Sequence, residues 1–255
     1  MSELAAFCVY RDFPPETGKT VQFDRHYLLY ATKGTMRLEA AGRSWTLPPA
    51  RAALIAAGEP VKLTIAATIT CCSALYAPSV YDAPTAALRV LDMSPLAREL
   101  ILACRAYGPE QTALDPDGRM LFDTLYMLAT RAAAAPNDTW MPVGQSDAVC
   151  KALALTEAHL TETLTLSDIA EKAGLSERTL ARRFQDEIGM PWRDCLRRLR
   201  MIRAIEGLAD PTRQITQVAM DVGYSSSSAF NNAFLDFTGQ TPSAFRQELS
   251  GHRGT

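Results

Sequence analysis

The feature that most narrows the possible folds is a segment that occurs twice in the last third of the chain. Leu166, Ile169, Ala170, Gly174 and Ser176 of LSDIAEKAGLSERTLARRF correspond to Ile215, Val218, Ala219, Gly223 and Ser225 of ITQVAMDVGYSSSSAFNNAF. The register then slips by one residue, so that Leu180 aligns with Phe230, Phe184 with Phe234 and Gly189 with Gly239. A repeat of about 50 residues marks a supersecondary unit used twice. Each copy reads as a short helix packed through Ile169-Ala170 or Val218-Ala219, a turn at Gly174 or Gly223 where a positive φ costs little, and a second helix of about three turns. That pattern is a helix-turn-helix. Thr165 with Asp168 three residues on predicts a capping box for the first helix, and Ser176 predicts an N-cap for the second.

In the second helix of the first copy, Leu180 and Phe184 are four apart and face a core, which leaves Arg178, Ala181, Arg182 and Gln185 on other faces. An α-helix fits the major groove of DNA, where arginine can donate two bonds to guanine O6 and N7. Two such helices about one DNA turn apart (roughly 34 Å) can enter successive grooves. The run Pro191 to Asp210, with Leu196, Leu199, Ile202, Ile205 and Leu208 at helical spacing, is long enough to be the connecting helix. Net charge is only −2, yet between Arg178 and Arg203 eight arginines face three acids. Charge is therefore patterned within the second part of the chain, and for a groove-binding surface that matters more than the total.

The first third reads as strands: 20–31, 34–40, 43–47, 51–57 and 61–76, separated by Gly and Pro turns. Such spacing predicts a small barrel or a sandwich. From Thr85 to Tyr107, Leu88, Leu91, Leu96, Leu100, Ile101 and Cys104 recur at helical spacing around a Ser94-Pro95 start signal, which predicts two helical pieces. A further helix fits Gly118 to Ala135. Residues 136–146 combine turn formers with two prolines and read as a linker, and the chain beyond Ser146 reads as helical.

At 255 residues and 47% apolar content the chain predicts two cores and excludes disorder for most of its length. The weakly polar run 65–78 falls short of the ~20 apolar residues a membrane span needs. The N-terminus has no basic region followed by an apolar stretch, so a cytoplasmic location is expected. Six cysteines without C-x-x-C spacing argue against a zinc site or disulfide framework, and adjacent Cys71 and Cys72 are assigned no role.

The last 105 or so residues resemble the DNA-binding domain of the AraC/XylS family of bacterial transcription regulators. The likeness rests on LSDIAEKAGLSERTLARRF, the Arg-rich linker helix, VAMDVGYSSSSAFNNAFLDFTGQTPSAFR and above all its closing GQTPSAFR, residues 239–246. The resemblance implies two base-reading helices: Arg178, Ala181 and Arg182 in the first, Ser227, Ser228, Asn231 and Asn232 in the second. It also implies phosphate contacts from Arg183, Arg193, Arg197, Arg198 and Arg200. Family members usually carry arginine where this chain has Asn232, so the first copy is expected to dominate affinity.

The strand-rich segment, through its H-x-x-x-Y-x-x-x-G start and the Gly42/Trp45/Leu47-Pro48-Pro49 turn, resembles the family's cupin-like sensor domain. Residues 1–82 would then be a sensor barrel, 83–135 helices that form a dimer contact or cover the barrel, 136–146 a linker and 147–250 the DNA-binding domain. The fold expected is α+β multidomain, with a small cupin-like β-barrel and flanking helices followed by an all-α domain of two helix-turn-helix motifs joined by a long helix. His26, Tyr30 and Trp45 are the candidate effector contacts. Metal-binding cupins use two or three histidines plus a glutamate. Only His26 of the three histidines lies in the strand region, and Val61 stands where the family often has histidine, so no metal, cofactor or catalytic residue is expected.

The partners implied are double-stranded DNA, a small-molecule effector, RNA polymerase and a second copy of the chain. The alternatives are a ligand-independent DNA-binding or protein-interaction factor and, less favoured, a cupin-type enzyme or DNA-repair regulator with a reactive cysteine.

Overall fold

A computed structural model describes residues 3–47, 49, 51–134, 140–208, 210 and 212–250, the side chains of 248–250 excepted. The chain forms two compact units, residues 1–40 with 45–137 and residues 41–44 with 138–255. Residues 136–139 of the expected linker lie outside the described residues. Immediately after them, Trp140–Pro142 form a three-residue strand rather than irregular chain.

Among the described residues the first unit contains nine strands, β1 (Ala6–Phe13), β2 (Glu16–Val21), β3 (His26–Lys33), β4 (Met36–Ala40), β5 (Arg43–Leu47), β6 (Arg51–Ile55), β7 (Val61–Ile65), β8 (Ile69–Tyr76) and β9 (Leu88–Asp92), the first two residues of β5 being grouped with the second unit. They pair as two sheets. One has the order β1-β8-β3-β6-β9, and the other runs β5-β4-β7-β2. The expected β-rich region is present, and among the described residues it takes the form of two sheets rather than one closed barrel. Two helices, α1 (Pro95–Ala103) and α2 (Pro116–Ala133), cover the outer face of the first sheet.

Both faces of that sheet are buried, which explains the near-continuous apolar sequences of its central strands. Side chains alternate. On β3, Leu28 and Tyr30 point into the core shared with Ile101, Phe122 and Leu125 of the helices. Tyr27 and Leu29 point between the sheets. On β8, Cys72, Ala74 and Tyr76 take the helix side, and Cys71 and Leu75 the other.

Three expectations need correcting. The run 20–31 is two strands, broken between Val21 and His26, and 61–76 is likewise two, broken between Ile65 and Ile69. The first expected helical piece, around Leu88 and Leu91, is β9. It pairs antiparallel with β6 from Leu88–Ile55 to Asp92–Arg51. The nine residues between Pro84 and Ser94 are too few for a stable helix, and the open edge of β6 satisfies the backbone groups of the five that form β9. Ser94 caps α1 instead, accepting from the Ala97 amide, and Asp115 caps α2 with Pro116 in its first turn.

The second unit is helical: α3 (Asp147–Ala158), α4 (Leu166–Ala173), α5 (Glu177–Arg183), α6 (Trp192–Leu208), α7 (Ile215–Asp221), α8 (Ser227–Thr238) and α9 (Pro242–Ser250). It has two cores. Ile169, Leu180, Phe184 and Trp192 meet in one, and Val218, Phe230, Phe234 and Phe245 in the other. Phe184, Phe230 and Phe234 are fully buried, each contributing ~1.5–3 kcal/mol of transfer free energy. Helix α6 serves both cores, giving Trp192 and Cys195 to the first and Met201, Ile205 and Leu208 to the second.

Candidate nucleic-acid interface

The helix ends set the geometry of the two repeats. Thr165 Oγ1 accepts from the Asp168 amide (3.2 Å) while the Asp168 carboxylate accepts from the Thr165 amide (3.1 Å), closing the capping box at the start of α4. Helix α4 ends at Gly174 with φ +77°, a left-handed conformation in which glycine is unstrained. Ser176 Oγ then accepts from the Thr179 amide (3.2 Å) and starts α5.

In the second copy Ser226, not the aligned Ser225, is the cap, its Oγ accepting from the Ala229 amide at 3.4 Å. The turn from Gly223 to its cap is therefore one residue longer than the turn from Gly174, which is the physical origin of the register slip. Tyr224 occupies that longer turn and packs edge-on against Phe230, centroids 5.7 Å apart. Both second helices terminate at left-handed glycines, Gly189 and Gly239. The last turn before Gly189 widens to a π-helical turn over Phe184–Ile188, whereas α8 stays α-helical throughout.

Counted from the caps, Arg178, Ala181 and Arg182 occupy the second, fifth and sixth positions of one helix, and Ser228, Asn231 and Asn232 the same positions of the other. Ser227 matches Glu177. All seven of the expected reader side chains are exposed. Leu180 and Phe184, and Phe230 and Phe234, are fully buried on the opposite faces, so packing fixes the rotation of each helix.

The five arginines expected at phosphates are placed differently. Arg193 and Arg197 are exposed, and Arg197 pairs with Asp236 of α8 at 2.9 Å. Arg183 is half-buried and donates to Ser146 Oγ (3.2 Å), a hydroxyl that in turn donates to Glu187 (2.7 Å) at the start of α3. Arg198 donates to the Trp140 carbonyl (3.2 Å) and lies against the rings of Trp140 and Phe237. Arg200 donates to the carbonyls of Leu160 (3.1 Å) and Glu162 (3.3 Å) beside the Tyr224 ring, and burial lowers its pKa. Arg183, Arg198 and Arg200 therefore hold the domain together. Sequence could place them on a basic helix but could not show which carbonyls they reach.

The first unit holds a second candidate site. Between its two sheets lies a cavity of about 390 Å³ lined by Phe13, Phe23, Tyr27, Leu29, Met36 and Leu63 among others, with Arg11, Lys19 and Glu16 also in the lining. Desolvation pushes the Tyr27 phenol up to about 12, so it stays a hydrogen-bond donor. None of the expected effector contacts is in this lining. Tyr30 belongs to the helix-covered core. His26, buried with its Nδ1 accepting from the Ala57 amide (3.0 Å) and its pKa lowered by burial, lies beside the Tyr126 ring of α2. Trp45 is buried on β5. The alternation of β3 was legible, but which face holds a cavity depends on where α1 and α2 pack. Among the described residues no group of three or more His, Cys, Asp or Glu is placed to hold a metal ion, and no helix is long and apolar enough to cross a membrane.

Comparison with known proteins finds helix-turn-helix regulators. A family model described as "Helix-turn-helix domain" matches residues 169–248. The HTH-type transcriptional regulator NimR of Escherichia coli K12 is 27% identical over 245 residues, 96% of this chain and 88% of its own length. The HTH-type transcriptional activator AarP of Providencia stuartii is 31% identical over 108 residues, 42% of this chain and 80% of its own. Among solved structures, an AraC-type transcriptional regulator from Chromobacterium violaceum is 30% identical over 40% of this chain and 91% of its own, with a TM-score of 0.38. The chain belongs to the AraC/XylS family of helix-turn-helix transcription regulators, and it is a DNA-binding regulator rather than an enzyme.

Proposed function

We propose that α5 and α8 enter successive major grooves of one DNA site, with Arg178, Ala181 and Arg182 reading one half and Ser227, Ser228, Asn231 and Asn232 the other. The single observation that carries this reading is the matched exposure of these side chains at equivalent distances from the Ser176 and Ser226 caps. The first half-site supplies most of the affinity, because only α5 presents guanidinium groups for bidentate contacts with guanine. Arg193 and Arg197 contact phosphates. Binding-site selection on the full-length protein is expected to return two half-sites about 10 base pairs apart, centre to centre. A protein that shows no preference among duplexes even at low salt overturns the proposal.

The cavity between the sheets supports a role for the first unit, residues 1–82 with the helices of 83–135, as the sensor of a small-molecule effector. Its size suits one small ligand, and its lining suits a largely apolar body with a polar group toward Arg11 and Lys19. The regulator works in the cytoplasm with RNA polymerase. It dimerises through the α1 and α2 surface, where Leu96, Met120 and Met127 are exposed. A thermal-shift screen of small metabolites on the wild type and on a cavity-filling Leu29→Trp variant tests the sensor. A ligand that stabilises both equally does not bind there.

A further inference from the structure

We propose that Cys8 and Cys72 are a thiol oxidation site, closing to a reversible disulfide when the protein meets hydrogen peroxide or another hydroperoxide. Their sulfurs are 3.7 Å apart although the residues are 64 positions apart in sequence. In the β1/β8 ladder Cys8 stands opposite Ala74 and Cys72 opposite Tyr10, so the two thiols share the face covered by α1. The Cys72 thiol also reaches the Ile101 carbonyl of α1 (3.2 Å). Cys71, the neighbour in sequence, lies on the opposite face and lines the cavity between the sheets.

The two sulfurs differ in their surroundings. Cys8 is buried but lies in the wall of an open groove of about 730 Å³ together with Tyr10, Arg105 and the 108–110 turn, the side from which a small oxidant would enter. Arg105 stacks over Tyr10 at 3.7 Å. The Sγ–Sγ contact with Cys72, helped by the Ser73 backbone and the Arg105 charge and opposed by burial, holds the Cys8 thiol below its ordinary pKa, which favours it as the nucleophile. The same contact, with burial, pushes Cys72 up and keeps its proton in place.

In the first step the Cys8 thiolate attacks one peroxide oxygen. An S–O bond forms, the O–O bond breaks, and the departing hydroxide takes up a proton to become water. The Cys72 sulfur then attacks the Cys8 sulfenic acid: the S–S bond forms, the S–O bond breaks, and the hydroxide leaves with the Cys72 proton as a second water. The two thiols together lose two electrons, and the peroxide is reduced by two.

Closing the bond brings the sulfurs from 3.7 Å to about 2.05 Å. Diagonal cross-strand residues have α-carbons roughly 7–8 Å apart, against about 4.4–6.8 Å across a disulfide, so β1 must move by on the order of 1 Å. Strand β1 ends its sheet, with β8 as its neighbour on one side, which leaves it room to shift. Its Cys8 amide donates to the Tyr107 carbonyl (2.7 Å), so the shift reaches the segment after α1.

The test is peroxide treatment of the full-length protein, followed by unfolding, alkylation and peptide mapping. Two of the six thiols are expected to resist alkylation until dithiothreitol is added. The peptide holding Cys8 is expected to be joined to the one holding Cys71 and Cys72. Cys71→Ser should keep that link, and Cys72→Ser should lose it and leave a dimedone-reactive sulfenic acid at Cys8. A link through Cys71 or Cys104, or Cys8 and Cys72 both remaining alkylatable while exposed Cys150 has reacted, overturns the proposal. If Cys72→Ser fails to fold, the fragmentation spectrum of the joined wild-type peptide decides.

Discussion

Arg200 separates two roles that a basic helix can play, and replacing it with alanine measures which one it has. Its guanidinium reaches the carbonyls of Leu160 and Glu162, bridging the turn after α3 to α6, and lies 5.8 Å from the Tyr224 ring. Leu160 is buried and Glu162 exposed, so only the first carbonyl loses a donor that water cannot readily replace. A hydrogen bond from a charged donor is worth ~1.5–3 kcal/mol, and a partly exposed cation–π contact adds ~0.5–1 kcal/mol. Removing both should destabilise the unit by about 2–3 kcal/mol. For a unit of ~120 residues the unfolding entropy is roughly 0.25 kcal/mol per degree, which makes the expected fall in Tm about 10 °C. Arg200→Lys should recover little, because one ammonium cannot span both carbonyls as the planar fork does. The assay is thermal unfolding followed by circular dichroism, with DNA affinity measured between about 50 and 200 mM salt at a temperature where the variant is folded. The expected result is a lowered Tm and an unchanged salt slope. An unchanged Tm with a slope smaller by about 0.9 would show that Arg200 neutralises a phosphate and would refute the assignment.

Arg182→Ala is expected to cost ~1–3 kcal/mol of DNA affinity and relax selection at one base pair, whereas Arg193→Ala should weaken all sequences alike and flatten the salt dependence. The same selected motif at the same strength from the Arg182 variant would remove it from the readers. Asn232→Arg should tighten binding and steepen the salt slope by about 0.9; affinity unchanged across salt would place that position away from DNA. Gly223→Ala should destabilise the second unit by more than ~2 kcal/mol in urea unfolding, since φ is +80° and a Cβ there would collide with the Leu160 carbonyl and the Arg200 guanidinium. A midpoint equal to wild type would mean that the turn can relax at no cost.

The duplicated motif was legible because each of its signals is local. A capping box spans four residues, a left-handed glycine follows its helix directly, and the Leu180/Phe184 pair is one turn apart, so short-range chemistry alone sets the elements and their inward faces. Leu88–Asp92 misleads for the opposite reason. Leu88 and Leu91 are three apart, and both are buried whether the segment is helical or extended. What decides is the free edge of β6, some 40 residues away, and nothing within the segment records it. The strand β1 escapes notice on similar grounds: its buried residues Ala6 and Cys8 give only a short alternation before the exposed run of Tyr10, Arg11 and Asp12.

The site divides along the same line. Exposure of Arg178, Arg182, Asn231 and Asn232 follows from helical phase, and the sequence contains the phase. The sorting of the linker-helix arginines does not follow from phase, because Arg193 and Arg200 are two turns apart on one helix and differ only in what lies beside them. Arg200 meets the carbonyls of the turn after α3 and is consumed in satisfying them, while Arg193 meets solvent. A count of basic residues between Arg178 and Arg203 therefore overstates the charge offered to DNA. Of the five arginines expected at phosphates, two are exposed, and one of them is already opposed by Asp236. A salt slope smaller than those five arginines imply is what this arrangement dictates, and Asp236→Asn, which releases Arg197, should steepen it.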